Sequence, residues 1–295
     1  MYPVFGSLNW ITPYGLMLVV ALFGGWFYMR RRALASGMDV SHVDLAVPLI
    51  FAVSLLGAEI LTTISPQDTE FAGSLVQSHS RFRLFGLLLV AIPALYVYSR
   101  VAKLSFRKLI DLSALPVLLW LALIRLGCFM AGCCWGDLIH EPPGLTDIAD
   151  PLLSAQVLTL PWLSGTQLAF GASFPTESLA YQQHLALGLI EPGAVSSLPV
   201  HLAQLYELIL LIVLLAVLRR AESKQLPPGL LALFGLAGYS VLRFLIEFLR
   251  ADNMLVLGSL TFHQLSCIVL LIVCVIGIAI LKHAPVRSAW NFKLH

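Results

Sequence analysis

The stretch Arg125 to Gly136, R-L-G-C-F-M-A-G-C-C-W-G, sets one guanidinium and three thiols where the apolar run 112–124 ends. An arginine at a hydrocarbon boundary is costly unless it faces a protein interior or meets an anion, so it marks a functional site. Snorkelling to the interface is the simpler alternative. Two other stretches carry comparable chemistry. In P-V-H-L-A-Q-L-Y-E, Pro199 to Glu207, the residues His201, Gln204 and Glu207 fall three apart. A helix would carry them as one drifting polar stripe, with histidine as the natural acid or base near neutral pH. In G-Y-S-V-L-R-F-L-I-E-F-L-R, Gly238 to Arg250, the residues Tyr239, Arg243 and Glu247 recur at i, i+4, i+8, with Arg250 close by. Such a face has to line a protein interior or a hydrated cavity; pairing of Arg243 with Glu247 is the plainer role.

The thiols admit several chemistries. Cys128, Cys133 and Cys134 read C-x4-C-C, which does not match the paired C-x2-C spacing of zinc sites, so no metal is expected. Adjacent thiols bond to each other only under strain. A disulfide from Cys128 to a neighbour suits an oxidising compartment, and a functional thiol, its thiolate favoured by Arg125, is the alternative. Cys267 and Cys274 lie in an apolar run and read as packing residues.

The elements that must position these groups cross a membrane. The composition is 59% hydrophobic and 12% charged, with mean hydropathy +0.88, far from the soluble norm. Seven apolar runs of near-spanning length follow: Trp10–Met29, Leu45–Ile64, Leu84–Tyr98, Leu112–Gly127, Leu202–Leu218, Gly229–Leu249 and Leu260–Leu281. Alternate loops hold Arg30, Arg31 and Arg32; Arg100, Lys103, Arg107 and Lys108; Arg219, Arg220 and Lys224; and Lys282, Arg287 and Lys293. These loops and the C-terminus are therefore cytoplasmic and the N-terminus is outside. The first positive cluster follows the first apolar run and no small-residue cleavage site comes after it, so no cleaved signal peptide is expected. Arg81, Arg83, Arg125, Arg243 and Arg250 break the charge pattern; gathered at one leaflet they suit a phosphate, which guanidinium forks bind in bidentate fashion. The expectation is an all-α, single-domain polytopic protein over residues 1–295. A cap insertion on the outer face, residues 128–200, joins the fourth and fifth spans, with a surface helix at Glu177–Ile190. No repeat, nucleotide-binding glycine loop or nucleic-acid motif is present.

In this order the motifs resemble those of bacterial prolipoprotein diacylglyceryl transferase. Tyr14-Gly15-Leu16-Met17 is similar to the family's W-Y-G-L-M, and the Arg125 stretch to its G-R-x-G-N-F-I-N-x-E-x-x-G. H-L-A-Q-L-Y-E resembles H-P-x-Q-L-Y-E, and the Gly238 stretch resembles G-Y-x-x-x-R-x-x-x-E-x-x-R. The resemblance runs from Thr12 to the H-Q-L-S at His263. It implies a multi-pass inner-membrane enzyme of lipoprotein biosynthesis with its active face toward the outer leaflet. That enzyme moves a diacylglyceryl group from phosphatidylglycerol to the thiol of a lipobox cysteine and releases glycerol phosphate, without a cofactor. Arg125 and Arg243 take its two arginine positions; Tyr14, Tyr239, His201, Gln204, Glu207 and Gly136 fall on others. Its asparagine is Cys128 here, its glutamate Cys133, and the histidine of its S-F-H-G-G stretch becomes Arg83, with Glu59 at an arginine position and His79 nearby.

On this reading Arg125, Arg243, Tyr14, Gln204, Arg83 and Gly136 hold phosphatidylglycerol, while His201, Glu207, Tyr239 and Cys133 serve the chemistry. A thiol must lose its proton to attack, and the departing phosphate gathers charge that two arginines would stabilise in a partly dry cavity. Two rivals stand beside it. One is a divergent enzyme using Cys128, Cys133 or Cys134 as nucleophile or redox thiol on another acceptor. The other is a non-catalytic protein that binds or transports an anionic lipid.

Overall fold

The computed structural model describes residues 12–64, 78–139, 171–176, 178–224, 226–250, 255–257 and 260–283. In chain order these form α1 (Pro13–Ala35), α2 (Ser41–Ile64), α3 (Ser78–Val101), α4 (Phe106–Ala131), β1 (Gly171–Ala172), α5 (Leu179–Ala186), β2 (Val200–His201), α6 (Ala203–Glu222), α7 (Leu230–Glu247), β3 (Leu255–Leu257), β4 (Leu260–Thr261) and α8 (Phe262–His283). The side chains of Glu59, His79, Arg81 and Arg83 lie outside the described residues, as does the part of the expected cap from 140 to 170.

Each expected apolar run overlaps a long helix, but the bounds differ: α7, Leu230–Glu247, is shorter than its run, while others are longer. α4 starts at Phe106 and not Leu112, and α6 continues to Glu222 and not Leu218, because backbone hydrogen bonding carries a helix past the last apolar residue. Helices α4, α7 and α8 are long and apolar enough, by length and composition, to cross a membrane. Two expectations need correction. The surface helix is shorter, Leu179–Ala186, because the Ser178 hydroxyl accepts a hydrogen bond from the Tyr181 N–H and starts it there. His201 lies on β2 and not on the helix that carries Gln204 and Glu207. The fold is all-helical as expected, with two short antiparallel pairings between the helices, β1 with β2 and β3 with β4.

Helix α4 is the central pillar. Leu115, Leu118 and Ala122 pack against Leu211 and Leu218 of α6 and Leu231 of α7. On another side, Leu112 joins Met29 and Ala33 of α1 and Val43 of α2. Around this core the outward faces are apolar: Phe23 and Leu56 are each 64% exposed and Val269 63%. The polar residues Gln204, Glu207, Arg243 and Glu247 are buried. This inversion is what a lipid surround demands, since charge is tolerated only where it faces protein.

Polar joints tie the helices together at one end of the bundle. Arg32 of α1 is fully inside; its Nη1 donates to the Leu112 carbonyl at 2.7 Å and its Nη2 to Glu222, which also takes Arg219 Nη1 at 2.7 Å. Asp111 of α4 accepts from the N–H of Gly229 at 2.6 Å and of Ala232 at 2.8 Å. It thus caps α7 from a different helix, placing a carboxylate at the positive end of the α7 dipole. Gly229 makes that turn at φ 95°, and a Cβ there would also press on Leu281 and Arg107. The basic clusters Arg30–Arg32, Arg100–Lys108, Arg219–Lys224 and Lys282 sit at or beside helix ends belonging to this same end.

Between α4 and α6 a smaller core of Trp135, Leu138, Phe174, Ala180, Val200 and Leu202 covers the opposite end. Within it His184 Nδ1 accepts from the Leu198 N–H at 3.2 Å, and burial pushes its pKa down to about 4, so the ring is neutral at physiological pH.

Replacing Glu222 by Ala would leave Arg32 buried without its carboxylate. The expected cost is about 3–5 kcal/mol, read as a lowered midpoint of denaturant-induced unfolding in lipid nanodiscs. A midpoint within error of the parent would show that the ion pair contributes nothing to holding α1, α4 and α6 together.

Candidate active site

The opposite end of the bundle brings the chemistry-bearing residues together. Arg125, in the last two turns of α4, pairs through Nε with Glu207 of α6 at 3.0 Å. One turn before Glu207, Gln204 Nε2 donates to the Cys133 carbonyl at 2.7 Å, so α6 grips both the end of α4 and the turn beyond it. On α7, Arg243 pairs with Glu247 at 2.7 Å, the i, i+4 contact expected from spacing. Tyr239, one turn earlier, lies within electrostatic reach of Arg125, Arg243 and Glu207. Tyr14, near the start of α1, packs against Gly127, where an added Cβ would meet Met17 at 2.9 Å. It too lies within electrostatic reach of Arg125 and of all three thiols.

Each buried arginine thus has its own carboxylate, which is how a charge survives inside a bundle. Several polar atoms nevertheless lack any hydrogen-bond partner among the described residues: Arg243 Nη1, Gln204 Oε1, Glu207 Oε1 and His201 Nδ1. Unmatched buried polar atoms are rare in native proteins, and their concentration here points to a polar ligand. His201 is half-buried or more, and this burial lowers its pKa from the ordinary value, so it is a neutral base at pH 7. Glu207, held at 3.0 Å by Arg125, is placed as a counter-ion more than as a proton acceptor.

The thiol cluster comes from the way α4 ends. Gly132 turns left-handed at φ 66°; its N–H reaches the Phe129 carbonyl and the Cys133 N–H reaches the Cys128 carbonyl. These two bonds make a Schellman motif, which folds the chain back so that Cys133 lies over Cys128. Cys134 is also left-handed, at φ 60°, an uncommon conformation outside glycine. The result is that the three sulfurs lie within 4.8 Å of one another. All three are free thiols, so the disulfide weighed from sequence is not formed. A C-x4-C-C spacing across this left-handed helix end therefore brings the three thiols together.

Gly136 lies where three chain segments meet. Its N–H donates to the His201 carbonyl at 2.8 Å, the Asp137 N–H donates to the Leu249 carbonyl at 2.8 Å, and Gly136 bridges Arg250. Here the chain after α4, strand β2 and the end of α7 meet backbone to backbone. A Cβ at Gly136 would lie 2.5 Å from the Leu249 oxygen and 2.9 Å from the His201 oxygen.

With this geometry in place, the comparisons are specific. The family model for prolipoprotein diacylglyceryl transferase matches residues 3–280. The chain belongs to that family. A member from Methylococcus capsulatus, named phosphatidylglycerol–prolipoprotein diacylglyceryl transferase, is 26% identical over 304 residues, covering 97% of this chain and 95% of its own. Proteins of the same name from Nitratidesulfovibrio vulgaris and Xanthomonas oryzae pv. oryzae are 28% identical over 267 residues and 27% over 293. They cover 86% and 92% of this chain, and 83% and 88% of their own lengths.

Two site residues escaped the sequence reading. The Thr261 hydroxyl donates to Glu247 Oε1 at 3.0 Å and accepts from the Gln264 N–H at 3.2 Å, while Gln264 Oε1 accepts from the Thr261 N–H at 3.0 Å. This is a capping box that starts α8, and T-x-x-Q before an apolar run was its readable signal. Through it, the carboxylate that holds Arg243 is itself held by α8.

Substituting Gly136 by Ala should cost about 1–3 kcal/mol, because the obstructing atoms are backbone and cannot swing aside. Gly24→Ala, whose Cβ would make only ordinary contact with Leu123 at 3.5 Å, should leave the thermal midpoint unchanged or slightly raised. Equal midpoints for the two variants would remove the close-approach role assigned to Gly136.

Proposed function

We propose that this protein is a seven-span enzyme of the bacterial cytoplasmic membrane, N-terminus outside, that lipidates prolipoproteins. It moves the diacylglyceryl group of phosphatidylglycerol to the thiol of a lipobox cysteine and works at the outer leaflet. The observation that carries this reading is the pair of largely withdrawn, individually neutralised guanidinium groups, Arg125 and Arg243, on separate helices within electrostatic reach of Tyr239. The gathering of basic loops at the other end supports the orientation, with the described residues 171–176 and 178–200 on the site's side of the bundle.

The two ion pairs keep the resting site neutral, so it tolerates a low-dielectric surround. A phosphodiester then brings one negative charge, and Arg243 Nη1, which has no hydrogen-bond partner among the described residues, can donate to it. The acceptor sulfur gives its proton to neutral His201 and attacks the glyceryl carbon next to the phosphate. As the new C–S bond forms, the C–O bond breaks and its electron pair stays on the departing glycerol phosphate. Charge therefore builds on phosphate oxygens, where fixed guanidinium donors stabilise the transition state more than the ground state. Gln204 holds the turn, and Tyr239 and Tyr14 line the path between arginines and thiols. Arg83, one of the arginines that break the charge pattern, is proposed as a further lipid-headgroup contact because guanidinium forks bind phosphate.

Protein in phosphatidylglycerol vesicles with a lipobox peptide should yield the diacylglyceryl thioether by mass spectrometry, and Arg243→Ala should lower the rate about 10²- to 10³-fold. No thioether, with another family member active in parallel, sinks the reading; a lipid-binding role would then explain the arginines. The rate should be flat above about pH 6.5 and fall below it as His201 protonates, since burial sets its pKa under the ordinary value. In His201→Asn the plateau should drop about 10²-fold and that acidic limb should vanish; an unchanged profile would assign the base elsewhere.

A further inference from the structure

We infer that Cys128, Cys133 and Cys134 form a trithiolate site for a divalent zinc-class cation whose open fourth position takes the sulfur of the acceptor substrate. The inference rests on the proposed thiol alkylation and assigns to that site the means of keeping the acceptor sulfur anionic.

The geometry fits such an ion. Zinc bound to thiolates at about 2.3 Å in a tetrahedron sets sulfur–sulfur separations of about 3.8 Å. The three sulfurs lie within 4.8 Å as they stand, so closure onto an ion takes a contraction of about 1 Å at most. The set is also built into the backbone. The Schellman turn places Cys133 over Cys128, the left-handed Cys134 brings in the third sulfur, and Gln204 fixes the Cys133 carbonyl. Cys128 is buried while Cys133 and Cys134 are partly open, so an ion can enter from one side and a fourth ligand can reach it.

Charge and chemistry agree. Three thiolates and a divalent cation leave one net negative charge, which Arg250 near Cys134 offsets, while the Arg125–Glu207 pair beside Cys128 and Cys134 is neutral as a whole. Three protein ligands with one vacant position is the arrangement of a catalytic zinc, and a thiol coordinated there is deprotonated outright. Two of these cysteines replace the asparagine and glutamate of the motif that the chain otherwise resembles, so the thiols entered where polar groups were given up.

The step balances without an oxidant. The acceptor S–H binds through sulfur and its proton passes to the base. The bound thiolate then forms the C–S bond as the C–O bond to phosphate breaks and the electron pair leaves with the phosphate. The neutral thioether is a weaker ligand and departs, and the cation remains divalent throughout.

The test reads the site without turnover. Reduced protein in nanodiscs, kept free of oxygen, is titrated with cadmium and followed by its thiolate-to-metal absorption. One equivalent should bind tightly and zinc should compete. Cys134→Ser and Cys133→Ala should each lose tight binding while Cys274→Ala keeps it. Adding a lipobox peptide should raise the band by about one third as a fourth thiolate joins, and the same peptide with serine for cysteine should not. No thiolate band, binding indifferent to Cys134→Ser in a protein that still melts cooperatively, or a band deaf to the cysteine peptide overturns the inference. Undiminished thioether formation after removal of the metal by a chelator also overturns it and leaves the transferase reading intact. A peptide-responsive band with no thioether under any condition upholds the cation site and removes the proposed donor.

Discussion

A guanidinium inside a membrane bundle needs a carboxylate within reach, and that one requirement shapes much of this protein. Arg32, Arg125 and Arg243 are all largely withdrawn from solvent, and each meets a glutamate: Glu222, Glu207 and Glu247. Two of these pairs join different helices, so neutralising the charge also fixes which helices are neighbours. The third lies within α7, but Thr261 ties its glutamate to α8. The ion pairs and the leucine seam of α4, α6 and α7 are therefore parts of one packing solution. Apolar faces can turn outward because the polar groups already have partners inside.

The chemistry gathers where helices stop. Helix ends leave backbone groups without intrahelical partners, and here neighbouring chain segments supply them. The His201 and Leu249 carbonyls take the N–H groups of Gly136 and Asp137, and the Cys128 carbonyl takes that of Cys133. Backbone so thoroughly cross-linked is stiff, which suits a site where side chains must keep their positions while a flexible lipid comes and goes. The two ends of the bundle thus differ in kind. One is a set of charged joints near basic loops; the other is a network of backbone bridges under a small aromatic core.

What could be read from the sequence follows the range of the interaction involved. Tyr239, Arg243 and Glu247 were legible because helical periodicity alone places them on one face. The ends of α4 and α6 were less so, since hydropathy marks where apolar residues stop and not where hydrogen bonding does. His201 was misplaced onto a helix because a two-residue strand leaves no periodic trace. The thiol cluster was hidden because its cause is the left-handed Gly132, which converts a four-residue gap into contact. Asp111 capping α7 joins residues 118 apart, and no local pattern announces it. Thr261 and Gln264 were readable in principle from their capping box, yet their importance depends on Glu247, which only the folded chain brings near.

Helix α7 is fastened at both ends to the same neighbour. Asp111 holds its first turn, and the backbone bridge from Gly136 holds Arg250 just past its last. Asp111 and Gly136 both belong to α4 and its continuation, so the two segments run parallel with matched lengths between fixed points. An added residue in α7 would turn everything beyond it by about 100° and shift it about 1.5 Å. Neither fastening could follow. The segment should therefore accept changes of residue type far more readily than changes of length. Its 18 residues work as a ruler that sets how far the buried ion pair of Arg243 and Glu247 stands from the far end of the bundle.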